Sequence, residues 1–211
     1  MWIDDYFLNS DGKIYFLNIT DDPFDRLYAS GENGKVNWDN YIDLEKGILD
    51  NEHFGTDAEG HDYAYYAFKN DESSDLFFYF AADHTEKEWG QVKYGTRSSY
   101  VAVTYDDGHD YGGADLLYHL LLENYAVRQH MHSHPAQSKE GWFLPSGYAE
   151  NDKVKDGDRS FAAWFYRYYP AKAVSMRWLL YDATVSRTLS YDLKGAWGYN
   201  KRTKEKKYFK Y

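Results

Sequence analysis

Three histidines at alternate positions, in Gln129-His130-Met131-His132-Ser133-His134-Pro135, are the residues of this chain best placed to do chemistry. Side chains alternate along an extended segment, so all three share a face, and neighbouring pairs stand near the spacing at which two imidazoles grip one ion. Two histidines and a carboxylate, with the fourth position left to water, make a hydrolytic zinc site. Asp152, Asp156 and Asp158 follow downstream as candidate carboxylates; Asp158, at the start of an expected helix, is preferred, with Asp152 as the alternative. A site using His130 as well ranks lower, because the outer two of three same-face residues are about 13 Å apart. The competing reading makes these histidines ordinary hydrogen-bonded strand residues and Asp158 a plain helix cap.

The composition narrows the rest. The chain has 211 residues, 34 acidic against 24 Lys and Arg, and a formal charge of −10. Such a chain is repelled by phosphate backbones, so nucleic-acid binding is not expected. Six basic residues gather between Lys201 and Lys210, which reads as a solvated strand or tail. No cysteine is present, so disulfide scaffolds, thiolate zinc sites and cysteine nucleophiles are excluded, and any metal must use His, Asp or Glu. No segment is long and apolar enough for a membrane span, and Met1-Trp2-Ile3-Asp4-Asp5 lacks the pattern of a signal peptide. With 23 Tyr, 12 Phe and 7 Trp, the core is expected to be built largely of rings.

The elements that must position the histidines follow from periodicity. A hairpin is expected over residues 2–20 around Asn9-Ser10-Asp11-Gly12, then loops with minor strands to about residue 60. Strands are expected at 63–68, 76–82, 88–94 and 99–105, forming a meander with a turn at 70–74. Leu116, Leu117, Leu120 and Leu121 share a helical face, giving a helix over about 113–126. A strand at 127–134 carries the histidines into a long loop, a second helix runs from about Asp158 to before Pro170, and strands at 173–181 and 184–191 close the pattern. The fold class is therefore α+β, or mixed α/β, with residues 1–60 as a β-rich extension and 61–211 as the main domain. Asp106-Asp107-Gly108-His109-Asp110 reads as a solvated loop, and Trp142-Phe143-Leu144 either covers the proposed site or folds onto the core.

His132-Ser133-His134-Pro135, then Pro145-Ser146, then Gly157-Asp158 opening a helix, with Glu88-Trp89 on an earlier strand, resembles the signature of the JAMM (MPN-plus) zinc metallopeptidases, which include deubiquitinating isopeptidases. Residues 76–89, with Asn9-Ser10-Asp11-Gly12, look most like its JAB-like toxin branch, found at the ends of bacterial polymorphic toxins. The resemblance covers roughly residues 75–182. It departs in spacing, with eleven residues between His134 and Ser146 and eleven between Ser146 and Asp158, longer than the family's pattern.

The resemblance implies a cytidine-deaminase-like sheet flanked by helices. It also implies Zn2+ on His132, His134 and Asp158, Glu88 as general base and proton carrier, and Ser146 as hydrogen-bond donor to the developing oxyanion. It further implies a zinc-dependent peptidase or isopeptidase that acts on a protein substrate as a delivered effector in a target-cell cytoplasm, with a cognate immunity protein. The alternatives are an inactive MPN-like module on the same fold, motivated by the lengthened spacing, and a carbohydrate- or protein-binding domain, motivated by the aromatic content.

Overall fold

The computed structural model describes residues 3–105, 109–135, 142–148 and 157–210. They form a mixed α+β structure with two sheets. β1 (Ile3–Leu8), β2 (Ile14–Thr20), β3 (Phe24–Ser30) and β4 (Val36–Glu45) make a four-stranded sheet in the order β2-β1-β3-β4. The expected hairpin is β1–β2. The loops expected up to residue 60 are instead largely sheet, with the ten-residue β4 paired antiparallel to β3. The Gly, Asn and Asp residues that suggested loops form a tight reversal between these strands, in which Gly31 donates to the Lys35 carbonyl at 2.8 Å and Gly34 takes φ +72°.

The larger sheet runs β10-β13-β12-β11-β9-β7-β8-β6-β5, with β14 on the outside of β13. Its strands are β5 (His53–Thr56), β6 (Asp62–Phe68), β7 (Trp89–Tyr94), β8 (Ser98–Thr104), β9 (Val127–His134), β10 (Trp142–Phe143), β11 (Arg177–Asp182), β12 (Arg187–Asp192), β13 (Gly195–Asn200) and β14 (Lys206–Lys210). β13 and β14 extend the sheet beyond the two closing strands expected. Of the basic run, Lys206, Lys207 and Lys210 lie on the mainly exposed strand β14, whereas Lys201, expected to be solvated, is buried and pairs with the buried Asp182 at 2.9 Å. β9 lies inside the sheet, antiparallel to β7 and parallel to β11.

Among the described residues four helices pack on this frame: α1 (Asp71–His84), α2 (Tyr111–Leu122), α3 (Asp158–Tyr168) and the single turn α4 (Pro170–Ala173). The segment 76–82, expected as a strand, lies within α1. Its ring content suggested a strand, but Ser74, Phe77, Phe78, Ala81 and Ala82 bury one stripe at helical spacing. Asn70 caps this helix by accepting from the Ser73 amide at 2.7 Å, so the expected turn at 70–74 is a cap and first turn. Pro170 opens α4, which delays the strand expected from 173 until Arg177. α2 ends at Leu122 rather than 126, because Asn124 takes φ 64° and the amides of Asn124 and Tyr125 close on the carbonyls of Leu121 and Leu120.

Two apolar clusters divide the interior. In one, α1 packs with residues of both sheets, where Phe77 meets Tyr66, Phe68 and Trp89 while Tyr6, Leu8, Leu27 and Leu44 join from the small sheet. The other lies on the opposite face of the large sheet, where Leu117 and Leu121 of α2 and Ala162 and Phe165 of α3 pack with Val92, Trp178 and Leu180. No helix among the described residues is long and apolar enough to cross a membrane.

Candidate metal centre

Because β9 and β11 are parallel neighbours, the chain must cross over between their ends, and α3 and α4 lie on that crossover. The helix that follows β9 therefore begins near the carboxyl end of that strand, which is where His132 and His134 stand. The residue that opens α3 is Asp158. Alternation along β9 sends Met131 into the α1 cluster, whereas His130 and His132 lie in register with Trp178 and Leu180 of the opposite cluster.

His132, His134 and Asp158 come together with one ligand atom from each within 4.8 Å of the others. The His132 Nε2 lies 2.8 Å from Asp158 Oδ1, and the His134 Nε2 lies 3.8 Å from Asp158 Oδ2. Both imidazoles are buried. Despite its short approach to Asp158, the His132 Nε2 has no hydrogen-bond partner, so it faces the carboxylate at close range without being aimed along a hydrogen bond to it. Two imidazoles and a carboxylate converging from a strand and a helix start, one of them with an orphaned buried nitrogen, form a donor set suited to zinc.

The other residues singled out in the sequence border this group. Glu88 immediately precedes β7, and its Oε1 lies 3.6 Å from His134 Nε2. Ser146 and Asp158 grip each other: the Ser146 amide donates to Asp158 Oδ2 at 2.7 Å, and the Asp158 amide donates to Ser146 Oγ at 2.8 Å. Asp158 is thus the first helical residue and not the cap. Gly157 occupies the cap position without a side-chain bond, and the Asp158 carboxylate is free to turn toward the histidines. Phe143 is buried, with its ring 6.0 Å from that of His134 and edge-on to it. Asp152 and Asp156 fall outside the described residues, as do Asp106, Asp107 and Gly108.

The electrostatics follow from burying several charges together. Burial pushes the Glu88 carboxyl up to about 7, with Asp110 and Asp158 adding to the rise against the opposing pull of His132. For Asp158, burial acts to raise the carboxyl, but His132, His134 and the Ser146 amide overcome it and hold the group well below the usual carboxylate range. Burial acts to lower His132, but the fields of Asp158, Glu88 and Asp110 carry it up to about 9. Burial, helped by the charge on His132, drives His134 down to about 4. Without a metal the site therefore holds one proton on His132, attracted by the same carboxylates that would attract a cation, and keeps His134 neutral with a lone pair to offer.

Two neighbours escaped the sequence reading. Asp110, expected in a solvated loop, has a side chain only 5 % exposed, and His130 lies with Nε2 3.6 Å from Asp110 Oδ2 rather than joining the ligand group. The cue available in sequence was Asp110-Tyr111-Gly112-Gly113 ahead of a leucine-rich helical stripe, a cap signature that does not by itself reveal burial. Ser133, between the two ligand histidines, is fully buried and its Oγ accepts from the Trp89 amide at 2.9 Å, which ties β9 to the residue after Glu88.

Residues 66–163 match the family model described as JAB-like toxin 1. The matched stretch starts within β6, ends within α3, and contains Glu88, His132, His134, Ser146 and Asp158. Comparison with curated proteins and with solved structures finds no match.

Proposed function

We propose, from the premise that residues 66–163 belong to the JAB-like toxin family, that this chain is a zinc-dependent peptidase or isopeptidase acting as the effector domain of a bacterial polymorphic toxin. The observation that carries the reading is the convergence of His132, His134 and Asp158, with Glu88 beside His134. The mixed α+β architecture accords with a JAB-like domain, and we read the larger sheet with its flanking helices as the cytidine-deaminase-like arrangement of the JAMM fold.

His132, His134 and Asp158 would hold the ion. When bound there, zinc supplies Lewis acidity, which polarises a scissile carbonyl and makes water acidic enough to lose a proton near neutral pH. Glu88, buried and raised to about 7, is matched to accepting a proton from the attacking water and passing it to the leaving amine. The Ser146 Oγ already accepts from the Asp158 amide, which fixes the hydroxyl while leaving its hydrogen to donate to the developing oxyanion. Phe143 walls one side of His134 and limits the approach of bulk water. A protein substrate, a cognate immunity protein and action inside a target cell belong to the same reading.

The test is metal-dependent cleavage. The purified chain, loaded with zinc, is incubated with libraries of linear peptides and of lysine-linked isopeptides, and the products are read by mass spectrometry. The reading expects cleavage of an amide bond that stops with a chelator and resumes on adding zinc. Cleavage indifferent to chelation would contradict the zinc-dependent reading, and no cleavage across both libraries would contradict it in favour of the inactive module.

A further inference from the structure

Asp110 holds together three parts of the structure from the loop that enters α2. Its Oδ1 accepts from the Gly113 amide at 2.8 Å and caps the helix. Its Oδ2 lies 3.6 Å from Nε2 of the buried His130. Its own backbone N–H donates to Glu88 Oε2 at 3.1 Å. The recess that receives the carboxylate is built from missing side chains. A Cβ on Gly90 would stand 2.2 Å from Oδ1, and one on Gly113 would stand 2.5 Å from Oδ2. Gly90 is also the ladder partner of His132, so the recess is set against the strand that carries the histidines.

We propose that Asp110 is a positioning residue for Glu88. Its carboxylate, seated between Gly90 and Gly113, fixes the first turn of α2, and that turn aims the peptide N–H of residue 110 at Glu88 Oε2. With one oxygen held in this way, the other, Oε1, is kept toward His134. The catalytic consequence rests on the reading of Glu88 as general base, whereas the hydrogen bond and its dependence on the cap do not. A cap that acted only on helix stability would leave Glu88 indifferent to it.

The two roles separate in an experiment on the metal-free full chain. Amide hydrogen exchange at position 110, followed by NMR, is expected to be protected in the wild type. Glu88→Ala is expected to speed it by about tenfold or more, as are Asp110→Ala and Gly90→Ala, which crowds the carboxylate without changing its chemistry. Asp110→Asn, which keeps an acceptor at Oδ1, is expected to restore protection. Asn70→Ala removes the cap of α1 far along the chain and serves as the stability control, expected to leave exchange at position 110 unchanged. In the zinc-loaded protein with a cleaved peptide, Asp110→Ala is expected to lower kcat about tenfold with KM and bound zinc unchanged. Exchange at position 110 that ignores Glu88→Ala, or that responds as strongly to Asn70→Ala, would overturn the proposal. Should no peptide be cleaved at all, the reading of Glu88 fails on its own while the exchange data still decide the positioning.

Discussion

Replacing Glu88 by Gln is expected to reduce amide-bond hydrolysis by about 10²- to 10⁴-fold while leaving zinc bound, the range a positioned general base and acid contributes. The substitution preserves shape and keeps an oxygen that can accept from the Asp110 amide, so what it removes is proton transfer. Glu88 is well suited to that role, because burial lifts its carboxyl to about 7 and near neutral pH it can take a proton and give it up again. The sign is that of a base raised by desolvation. Activity should climb with pH as the carboxylate forms, with its midpoint below the metal-free value of about 7 because the zinc charge favours the carboxylate, and the acidic limb should be missing from whatever rate Glu88→Gln retains. Single-turnover kinetics on the zinc-loaded variant, with zinc measured in the same sample, checks both points. A loss of activity that merely tracks a loss of metal would remove Glu88 from the base role.

The second large effect is on the metal itself. With His132→Ala and His134→Ala together, zinc content is expected to fall from about one per chain to below about 0.1, because the remaining carboxylate is a single donor where the site needs three. The wild type should also gain about 2.7 kcal/mol of stability at a free zinc concentration a hundred times the dissociation constant, and the double variant nothing. His132 sets the pH dependence. It is raised to about 9 in the metal-free site, so zinc must displace its proton, and affinity is expected to rise with pH through neutrality until about 9. Elemental analysis after dialysis and thermal unfolding with added zinc measure these effects. An affinity that falls between about pH 6 and 8 would be inconsistent with His132 as a ligand.

How much of this was legible in the sequence depended on whether the signal was local. The alternation of β9 and the start of α3 at Asp158 are set by short-range periodicity, and both are in the structure as read. The convergence of the two could not be read from spacing. It comes from the parallel pairing of β9 with β11, which brings the crossover helix back to the carboxyl end of the histidine strand. In α1, the ring content of Phe77, Phe78 and Phe80 favoured a strand, yet the stripe at 74, 77, 78, 81 and 82 and the Asn70 cap favoured a helix, and burial on one side decided it. β3 and β4 were hidden because polar outer faces and turn residues dominate 21–45. Their inward positions, Leu27, Ala29 and Leu44, become buried only once α1 is there to cover them. Asp110 was missed for a related reason. Its burial depends on glycines at 90 and 113, one of which lies twenty residues away on β7, and no local pattern announces that recess.

The buried charges around β9 give the site a further property. Asp158, Glu88, His132 and His134 lie together out of water, an arrangement that costs stability unless opposite charges meet or a cation joins them. The proton on His132 is the smallest such cation, and zinc is the one that this donor set suits.

Zinc K-edge X-ray absorption of the loaded wild-type protein reads the ligands of the ion themselves. Two imidazole nitrogens and a low-Z oxygen ligand at about 2.0–2.2 Å are expected, with one imidazole lost in His132→Ala and no sulfur shell. A spectrum of hydrated zinc, or one unchanged by His132→Ala, would contradict the account.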